Sequence, residues 1–358
     1  MTRIFAYVGC RTTRERNARG TGIGVYAVSS CGDWRHVQTL EPIVNPSFLV
    51  ADPNRDALYT VHGDGDEVSA YRIDADSGRI APLNSRPCDG RNPVHLDFTQ
   101  DGHALAVAGY ASGTAARIAL NDDGSLGGLM PPTLAFDGEP GPHRIEQASS
   151  HPHHILRYTT NAFDTGWHIV PEKGLDALFA VRWDADGVPV VRRGSSREGA
   201  GPRHAAFHPR LPLIYVSNEL DSTMTAWSFD PSTGALAPLA TVAAIPADCH
   251  TKTRAAGIAI ARDGRRLYVT NRGHDSIATI ELDAHTGLPG TVQWTACEGH
   301  CPRFLCLGPD GRTLYVANET SHAIVQFALD EIHGVPMATG RRIETGSPVS
   351  IAFKTFEE

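Results

Sequence analysis

Several charged side chains of this sequence stand directly beside short apolar runs, where a strand would hold them in place. Glu219 closely follows the run Ile214–Ser217, and Arg203 lies at the start of the preceding one. Arg272 and Arg303 occupy similar positions later in the chain. Arginine binds carboxylates and phosphates through paired hydrogen bonds and stabilises a developing oxyanion, whereas glutamate can move a proton. The set suits an anionic lactone or its open hydroxy acid, and the same residues could instead form structural ion pairs.

A histidine cluster, His151-Pro152-His153-His154, adds a second group capable of proton transfer. Histidine is the side chain best suited to this role near neutral pH. Residues one or two apart at the start of a strand do not converge on a metal ion, and no acidic residue stands at a recognised zinc spacing. We therefore expect either His153 or Glu219 to carry the proton, and we expect no metal or other cofactor.

These residues belong to a unit that the chain repeats seven times, with an apolar run, a polar turn and a returning run. After the first copy, the runs recur about every 47 residues, with longer gaps before the fourth and sixth copies. Such a period is typical of propellers and solenoids. Proline and Asp-Gly turns between the runs predict four antiparallel strands per unit, and therefore an all-β, seven-bladed β-propeller. The apolar cores are Phe5–Gly9, Leu58–Val61, Leu105–Ala108, Trp167–Val170, Ile214–Ser217, Leu267–Thr270 and Leu314–Ala317.

The two ends of the chain predict how the ring closes. Ser347–Phe353 reads as the first strand of a unit with no second strand after it, whereas Ile4–Gly9 reads as a second strand with no first. We expect the C-terminal strand to complete the N-terminal blade, which removes the open edge of the array. Residues 1–358 then form a single propeller domain.

Strand order predicts which residues share one face of the ring. The first strand of a blade begins, and the second strand ends, at the same end of the central channel. Residues expected there include His153, His154, Arg203, His204, Arg303, Asn218, Glu219, Asn271, Arg272, Asn318 and Glu319, joined by His62, Tyr110 and Arg11. Among these and their neighbours, the residues predicted to bind or shape the substrate are His62, His204, Asn218, Asn271, His274 and Arg303.

Composition excludes several classes of partner. The net charge of −8 argues against nucleic acid or an anionic membrane as the main partner. No apolar run approaches the roughly 18 residues of a membrane helix, and Ile4–Gly9 reads as a strand rather than part of a signal peptide. Seven irregularly spaced cysteines favour reduced thiols and a cytoplasmic location. The oligomeric state is left open.

The most specific motifs resemble one known family, the lactonase family of seven-bladed propellers. These motifs are Ser150–His153, Gly201–His204 with Tyr215–Glu219, and Leu267–Ile277. The family includes propeller-type 6-phosphogluconolactonases and carboxy-cis,cis-muconate cyclases, and the resemblance covers nearly the whole chain. It implies metal-independent chemistry and, by analogy with the cyclase branch of the family, a site made of a histidine, two arginines and a glutamate. The matching residues are His153, Arg203, Glu219 and Arg272.

The chain departs from the family pattern in three stretches around one blade. They are Glu146-Gln147-Ala148, Thr159–Thr165 and Pro171–Asp176. Our first hypothesis is a lactonase that hydrolyses a sugar-acid lactone such as 6-phosphogluconolactone. The alternatives are a carboxymuconate-type cycloisomerase and a non-catalytic binding scaffold. A scaffold would present an apolar, aromatic face, whereas the predicted rim is rich in arginine, histidine and glutamate.

Overall fold

The computed structural model describes residues 2–357 and consists of seven antiparallel sheets. Six sheets have four strands, and the third has a fifth short strand. This is the predicted seven-bladed β-propeller. Within the described chain, no helix has the length and apolar character needed to cross a membrane. All seven cysteines are free thiols.

The strands follow the repeat of the sequence. The first blade begins with β1 (Arg3–Cys10), β2 (Ile23–Val28) and β3 (Trp34–Leu40), and a short 3₁₀ turn spans Arg14–Arg16. The second blade contains β4 (Pro46–Ala51), β5 (Ala57–His62), β6 (Glu67–Ile73) and β7 (Ile80–Pro87). The third contains β8 (Pro93–Phe98), β9 (Ala104–Gly109), β10 (Thr114–Leu120), β11 (Leu126–Leu129) and β12 (Leu134–Ala135).

The remaining blades have the same arrangement. The fourth contains β13 (Leu156–Thr159), β14 (Asp164–Glu172), β15 (Ala177–Trp183) and β16 (Pro189–Ser195). The fifth contains β17 (Pro202–Phe207), β18 (Leu213–Asn218), β19 (Thr223–Phe229) and β20 (Leu236–Ala243). The sixth contains β21 (Arg254–Ile260), β22 (Arg266–Arg272), β23 (Ser276–Leu282) and β24 (Pro289–Ala296). The seventh contains β25 (Pro302–Leu307), β26 (Thr313–Asn318), β27 (Ala323–Leu329) and β28 (Pro336–Glu344), and the last strand of the chain is β29 (Pro348–Phe356).

Ring closure occurs as predicted. Strand β29 pairs with β1 antiparallel, in a register that runs from Arg3 opposite Phe356 to Cys10 opposite Pro348. The first blade therefore combines the last strand of the chain with its first three strands. Val349 and Ile351 of β29 are buried, so closure also adds apolar side chains to the core.

The repeated apolar runs form the second strands, which are buried because neighbouring blades pack against both of their faces. Their tyrosines also fix the spacing between blades. The hydroxyl of Tyr215 donates to the carbonyl of Gly287 at 2.7 Å, and Tyr268 makes the same bond to Gly334 at 2.9 Å. In each case the acceptor lies in a hairpin of the following blade. A tyrosine that recurs in the repeat thus forms a hydrogen bond between neighbouring blades.

Antiparallel pairing brings the start of each first strand next to the end of the second. In the fifth blade, Pro202 pairs with Asn218, which places Arg203 and Glu219 at the same end of the sheet. The backbone N–H of Glu219 donates to the carbonyl of Gly201 at 2.7 Å and fixes the exit turn. Gly201 has φ +64°, and a Cβ there would meet the side chain of Leu220 at 2.5 Å. Glycine at 201 is therefore required for this turn.

Candidate active site

A polar cavity of about 230 Å³ opens at the end of the ring where these strand ends meet. Six of its side chains are cationic and two are carboxylates. Such an excess of positive charge in a confined space favours a small anionic ligand. The lining residues are Arg11, Arg16, Asn92, Val94, Tyr110, Glu146, His153, Lys173, Glu219, Arg254, Arg272 and Arg303.

Glu219 is the centre of the charged network. Its Oε1 lies 3.1 Å from Lys173 Nζ and 3.1 Å from Arg254 Nη1. Its Oε2 lies 3.0 Å from Arg203 Nε and 3.2 Å from Arg272 Nη2. Blades four, five and six therefore each contribute cations to one buried carboxylate.

These four cations decide the protonation state of Glu219. Burial by itself would raise the pKa of this carboxyl, but the charges of Arg272, Lys173 and Arg203 outweigh burial and hold the pKa well below its usual range. Glu219 is thus a permanent carboxylate. A carboxylate bonded in this way is a poor proton acceptor and a good positioning group for its cationic neighbours.

His153, unlike Glu219, is held in its uncharged form. Burial lowers the pKa of its imidazole well below the usual value, and the positive charge of Arg203 lowers it further. Its Nδ1 is buried and has no hydrogen-bond partner among residues 2–357. Its ring packs edge-on against Tyr110, with 5.4 Å between ring centroids. His153 is therefore a neutral imidazole at the cavity wall with an uncommitted nitrogen.

Arg203 lies deeper than predicted. Its side chain is almost fully buried and is absent from the cavity wall, although its Nε contacts Glu219. Burial and the neighbouring Arg272 lower the pKa of the Arg203 guanidinium, while Glu219 opposes that shift. Arg203 supports Glu219 from behind, whereas Arg272 and Arg254 reach the cavity itself.

A second group of cations lies on the blade-one and blade-seven side of the cavity. Arg11 is buried, and its Nη1 is 3.7 Å from Asp64 Oδ2 without a hydrogen bond. Arg16 forms a paired ion contact with the same carboxylate. Arg303 Nη1 lies 3.7 Å from Glu319 Oε2, which is long for a direct bond. Arg11 and Arg303 thus retain capacity to bind a further anion.

Lys173, Glu146 and Arg254 are absent from the predicted site, yet all three line the cavity. Glu146 and Lys173 lie in two of the stretches that depart from the family pattern, and those departures were the available signal. Arg254 is the first residue of β21, whereas Arg203 and Arg303 are the second residues of β17 and β25. It lacks the preceding proline that marks those two positions in the sequence, so nothing local identified it.

Five residues predicted to bind or shape the substrate lie outside the cavity wall: His62, His204, Asn218, Asn271 and His274. The two asparagines bond within the protein instead. Asn218 Nδ2 donates to Thr223 and Thr225, each at 2.9 Å, and Asn271 Nδ2 donates to the carbonyl of Ala244 at 2.7 Å. Both side chains therefore stabilise strand ends.

The three histidines of this group also have other partners. His62 bonds to the Val44 carbonyl and to Ser69 Oγ, each at 2.7 Å, and faces a separate cleft. His274 Nδ1 bonds to a serine hydroxyl in its own turn at 2.7 Å. His204 stacks on His154 with 4.5 Å between ring centroids and packs against His153. His204 therefore supports the wall from behind, and His62 and His274 point elsewhere.

Within the described part of the chain, no three His, Cys, Asp or Glu side chains converge as a metal site would require. The carboxylates at the cavity, Glu146 and Glu219, are both engaged by lysine and arginine instead. The chemistry available at this site is therefore that of guanidinium, ammonium, carboxylate and imidazole groups.

Comparisons with known proteins agree with this fold. The family model described as lactonase, 7-bladed beta-propeller, matches residues 5–353. The 6-phosphogluconolactonase of Bacillus subtilis (strain 168) is 32% identical over 319 residues, which are 86% of each chain. The 6-phosphogluconolactonase of Formosa agariphila is 28% identical over 318 residues, covering 85% of this chain and 86% of the relative. The solved structure of the periplasmic gluconolactonase of Pseudomonas aeruginosa has a TM-score of 0.85 at 26% identity, over 99% of both chains. The protein described here belongs to the lactonase family of seven-bladed β-propellers.

Proposed function

We propose that this protein hydrolyses the lactone of an anionic sugar acid, in the manner of a 6-phosphogluconolactonase. The observation that carries the proposal is the cavity itself, where six cations outnumber two carboxylates beside a neutral histidine. Family membership and the hydrolase names of the relatives support the reaction type. None of the relatives reported above carries a cyclase name, so nothing favours the cycloisomerase alternative.

Two groups of cations match a substrate with a phosphate at one end and, at the other, a lactone carbonyl that develops negative charge as water adds. Arg11, Arg16 and Arg303 form one group, and Arg272, Arg254 and Lys173 form the other around Glu219. A phosphate at the first group would place the lactone carbonyl near the second group and His153. Guanidinium groups bind phosphate through paired, charge-assisted hydrogen bonds. The cavity volume of about 230 Å³ suits a compact sugar derivative.

His153 is the group best placed to activate water. A neutral imidazole on the cavity wall can accept a proton, whereas Glu219 is already paired with four cations. Water adds to the lactone carbonyl and gives its proton to His153, while Arg272 stabilises the oxyanion. The tetrahedral intermediate then breaks the ring C–O bond, and the leaving alkoxide takes the proton back. The product is the open hydroxy acid, ionised as a carboxylate.

Steady-state kinetics with a phosphorylated and an unphosphorylated gluconolactone test this assignment. We expect the wild type to prefer the phosphorylated lactone. Arg303→Gln should raise KM about tenfold or more for the phosphorylated substrate and leave the unphosphorylated one nearly unchanged. The matched control is Arg312→Gln, because Arg312 lies in a turn of the same blade outside the cavity. Equal effects of Arg303→Gln on both lactones would exclude a phosphate site there.

The cytoplasmic location stays a prediction. One relative of known structure is described as periplasmic, so the family is not confined to one compartment. Fractionation of cells that express the full gene would decide the location. The proposed partner is the small anionic substrate alone, and nothing in the comparisons points to nucleic acid or a membrane.

A further inference from the structure

A long segment without regular strands connects β12 to β13 and reaches the mouth of the cavity. It is anchored at two points on the turn that follows β14. The N–H of Gly141 donates to the carbonyl of Gly174 at 2.8 Å, and Gln147 Nε2 donates to the carbonyl of Lys173 at 2.9 Å. Long connections of this kind in compact folds commonly carry function. The side chain that this segment delivers to the cavity is Glu146.

Glu146 holds two cations that Glu219 also holds. Its Oε2 lies 2.6 Å from Lys173 Nζ, and its Oε1 lies 2.5 Å from Arg254 Nη2. Burial alone would raise the pKa of Glu146, but its bonds to Arg254 and Lys173 lower the pKa to about 2. Glu146 is therefore a second permanent carboxylate, and it is the more exposed of the two, with a side-chain exposure of 21% against 5% for Glu219.

The proposed reaction changes the charge of the ligand. The lactone carbonyl is neutral, whereas hydrolysis leaves a carboxylate and releases a proton. If the cations at the reacting end had no carboxylate partner, the cavity would bind this product more tightly than the substrate. Release of product limits the turnover of many enzymes. A carboxylate side chain that pairs with those cations would reduce this preference for the product.

We propose that Glu146 competes with the newly formed product carboxylate for Lys173 and Arg254 and so promotes product release. This inference rests on the proposed lactone hydrolysis. Glu146 takes no part in bond breaking, because the proton is carried by His153. A neutral lactone carbonyl competes weakly for two cations already bound to a carboxylate, whereas an ionised product competes directly with Glu146. Glu146 thus discriminates between substrate and product by charge.

The test compares Glu146→Gln with the wild type, and the control is Glu139→Gln. Glutamine keeps the shape of the side chain and removes its charge, and Glu139 is an exposed residue of the same segment, outside the cavity. Calorimetric titration with the hydroxy-acid product should give a Kd about three- to tenfold lower for Glu146→Gln. In kinetics, the product inhibition constant should fall by a similar factor, with KM for the lactone changed less than about twofold.

Two results would overturn the inference. The first is a product affinity in Glu146→Gln that is unchanged or weaker, which would make Glu146 a bystander or a substrate-binding residue. The second comes from the Arg254→Gln background, where the gain in product affinity should shrink; an undiminished gain would mean that Glu146 does not act through Arg254. If the wild type hydrolyses no lactone, the proposed function fails. The calorimetric comparison still decides whether Glu146 competes with a hydroxy-acid carboxylate.

Discussion

Lys173 Nζ lies 3.1 Å from Glu219 Oε1, although the two residues follow the second strands of different blades. Neither the Lys173 ammonium nor the Glu219 carboxylate has all of its ion-pair partners within its own blade. Burial lowers the pKa of the Lys173 ammonium, but Glu219 and Glu146 more than compensate and raise it. Each charge is thus stabilised only when adjacent blades are packed in the ring. The stability of the fold and the chemistry of the site depend on the same contacts.

Glu219→Gln should destabilise the protein as well as inactivate it. The substitution leaves Arg203, Arg272 and Lys173 close together without their shared carboxylate. Removing one partner of a buried ion pair costs about 3–5 kcal/mol, and urea denaturation followed by circular dichroism would measure the loss. Inorganic phosphate should restore part of the stability of the variant, because a bound anion replaces the missing charge.

The matched control for Glu219 is Glu319→Gln. Glu319 follows the second strand of blade seven at the equivalent position, and its carboxylate makes long contacts with Arg303 Nη1 and with the Cys301 thiol, each at 3.7 Å. Its removal should change the free energy of unfolding by less than about 1 kcal/mol. Equal destabilisation by the two variants would show that the network around Glu219 has no special role.

His153→Gln should lower kcat about 10²- to 10⁴-fold while the protein stays folded. In the wild type, the pKa of His153 is well below 6.5 because the ring is buried near Arg203. The imidazole therefore stays neutral as the pH falls through 6.5, and activity is lost only when it becomes protonated at lower pH. The acid limb of kcat/KM against pH should lie below pH 6.5. A limb centred above 6.5, or one retained in His153→Gln, would contradict the assignment.

Buried histidines should make the protein acid-sensitive. Burial lowers the pKa of His154 to about 3 and that of His168 to about 4. The unfolded chain takes up protons on these residues near pH 6.5, whereas the folded protein does not, so the free energy of unfolding falls as pH decreases below 6.5. Each such histidine contributes a slope of about 1.4 kcal/mol per pH unit. The group comprises His95, His153, His154, His168 and His204.

One substitution isolates this effect. His154 Nδ1 accepts the N–H of Ala205 at 3.3 Å, and the amide oxygen of asparagine can replace that acceptor. His154→Asn should reduce the slope of unfolding free energy between pH 6 and 5 by about 1.4 kcal/mol per pH unit. His285→Asn, at an exposed turn, should leave the slope as in the wild type. An identical slope in His154→Asn would mean that His154 titrates normally in the folded state.

Removal of residues 346–358 should prevent stable folding. The deletion takes away strand β29, including the buried side chains of Val349, Ile351 and Phe356. At about 1.5–3 kcal/mol for each large apolar side chain, the loss approaches the whole stability of a typical domain. Loss of the cooperative thermal transition would be seen by circular dichroism. A shorter deletion of residues 357–358 serves as the control, and a truncated ring that melts like the full chain would refute the importance of closure.

The fold was predictable because it depends on a local pattern repeated many times. Each apolar run needs two packed faces, and the turns between runs fix the antiparallel order, so seven similar units can bury their cores only by stacking in a ring. The unmatched strands at the two termini then determined closure. Strand order also predicted the end of the ring that carries the site, and the structure brings His153, Glu219, Arg272 and Arg303 together there.

The tertiary structure alone decided which residues at that end reach the cavity and which charges they share. Position in the repeat specifies the end of the ring but not the direction of a side chain. His62 therefore turns into a separate cleft, and Arg203 lies behind Glu219 rather than on the cavity wall. Glu146 reaches Lys173 and Arg254 from a segment outside the repeat. Electrostatic contacts between distant parts of the chain depend on distances of a few ångströms, and only the packed ring sets those distances.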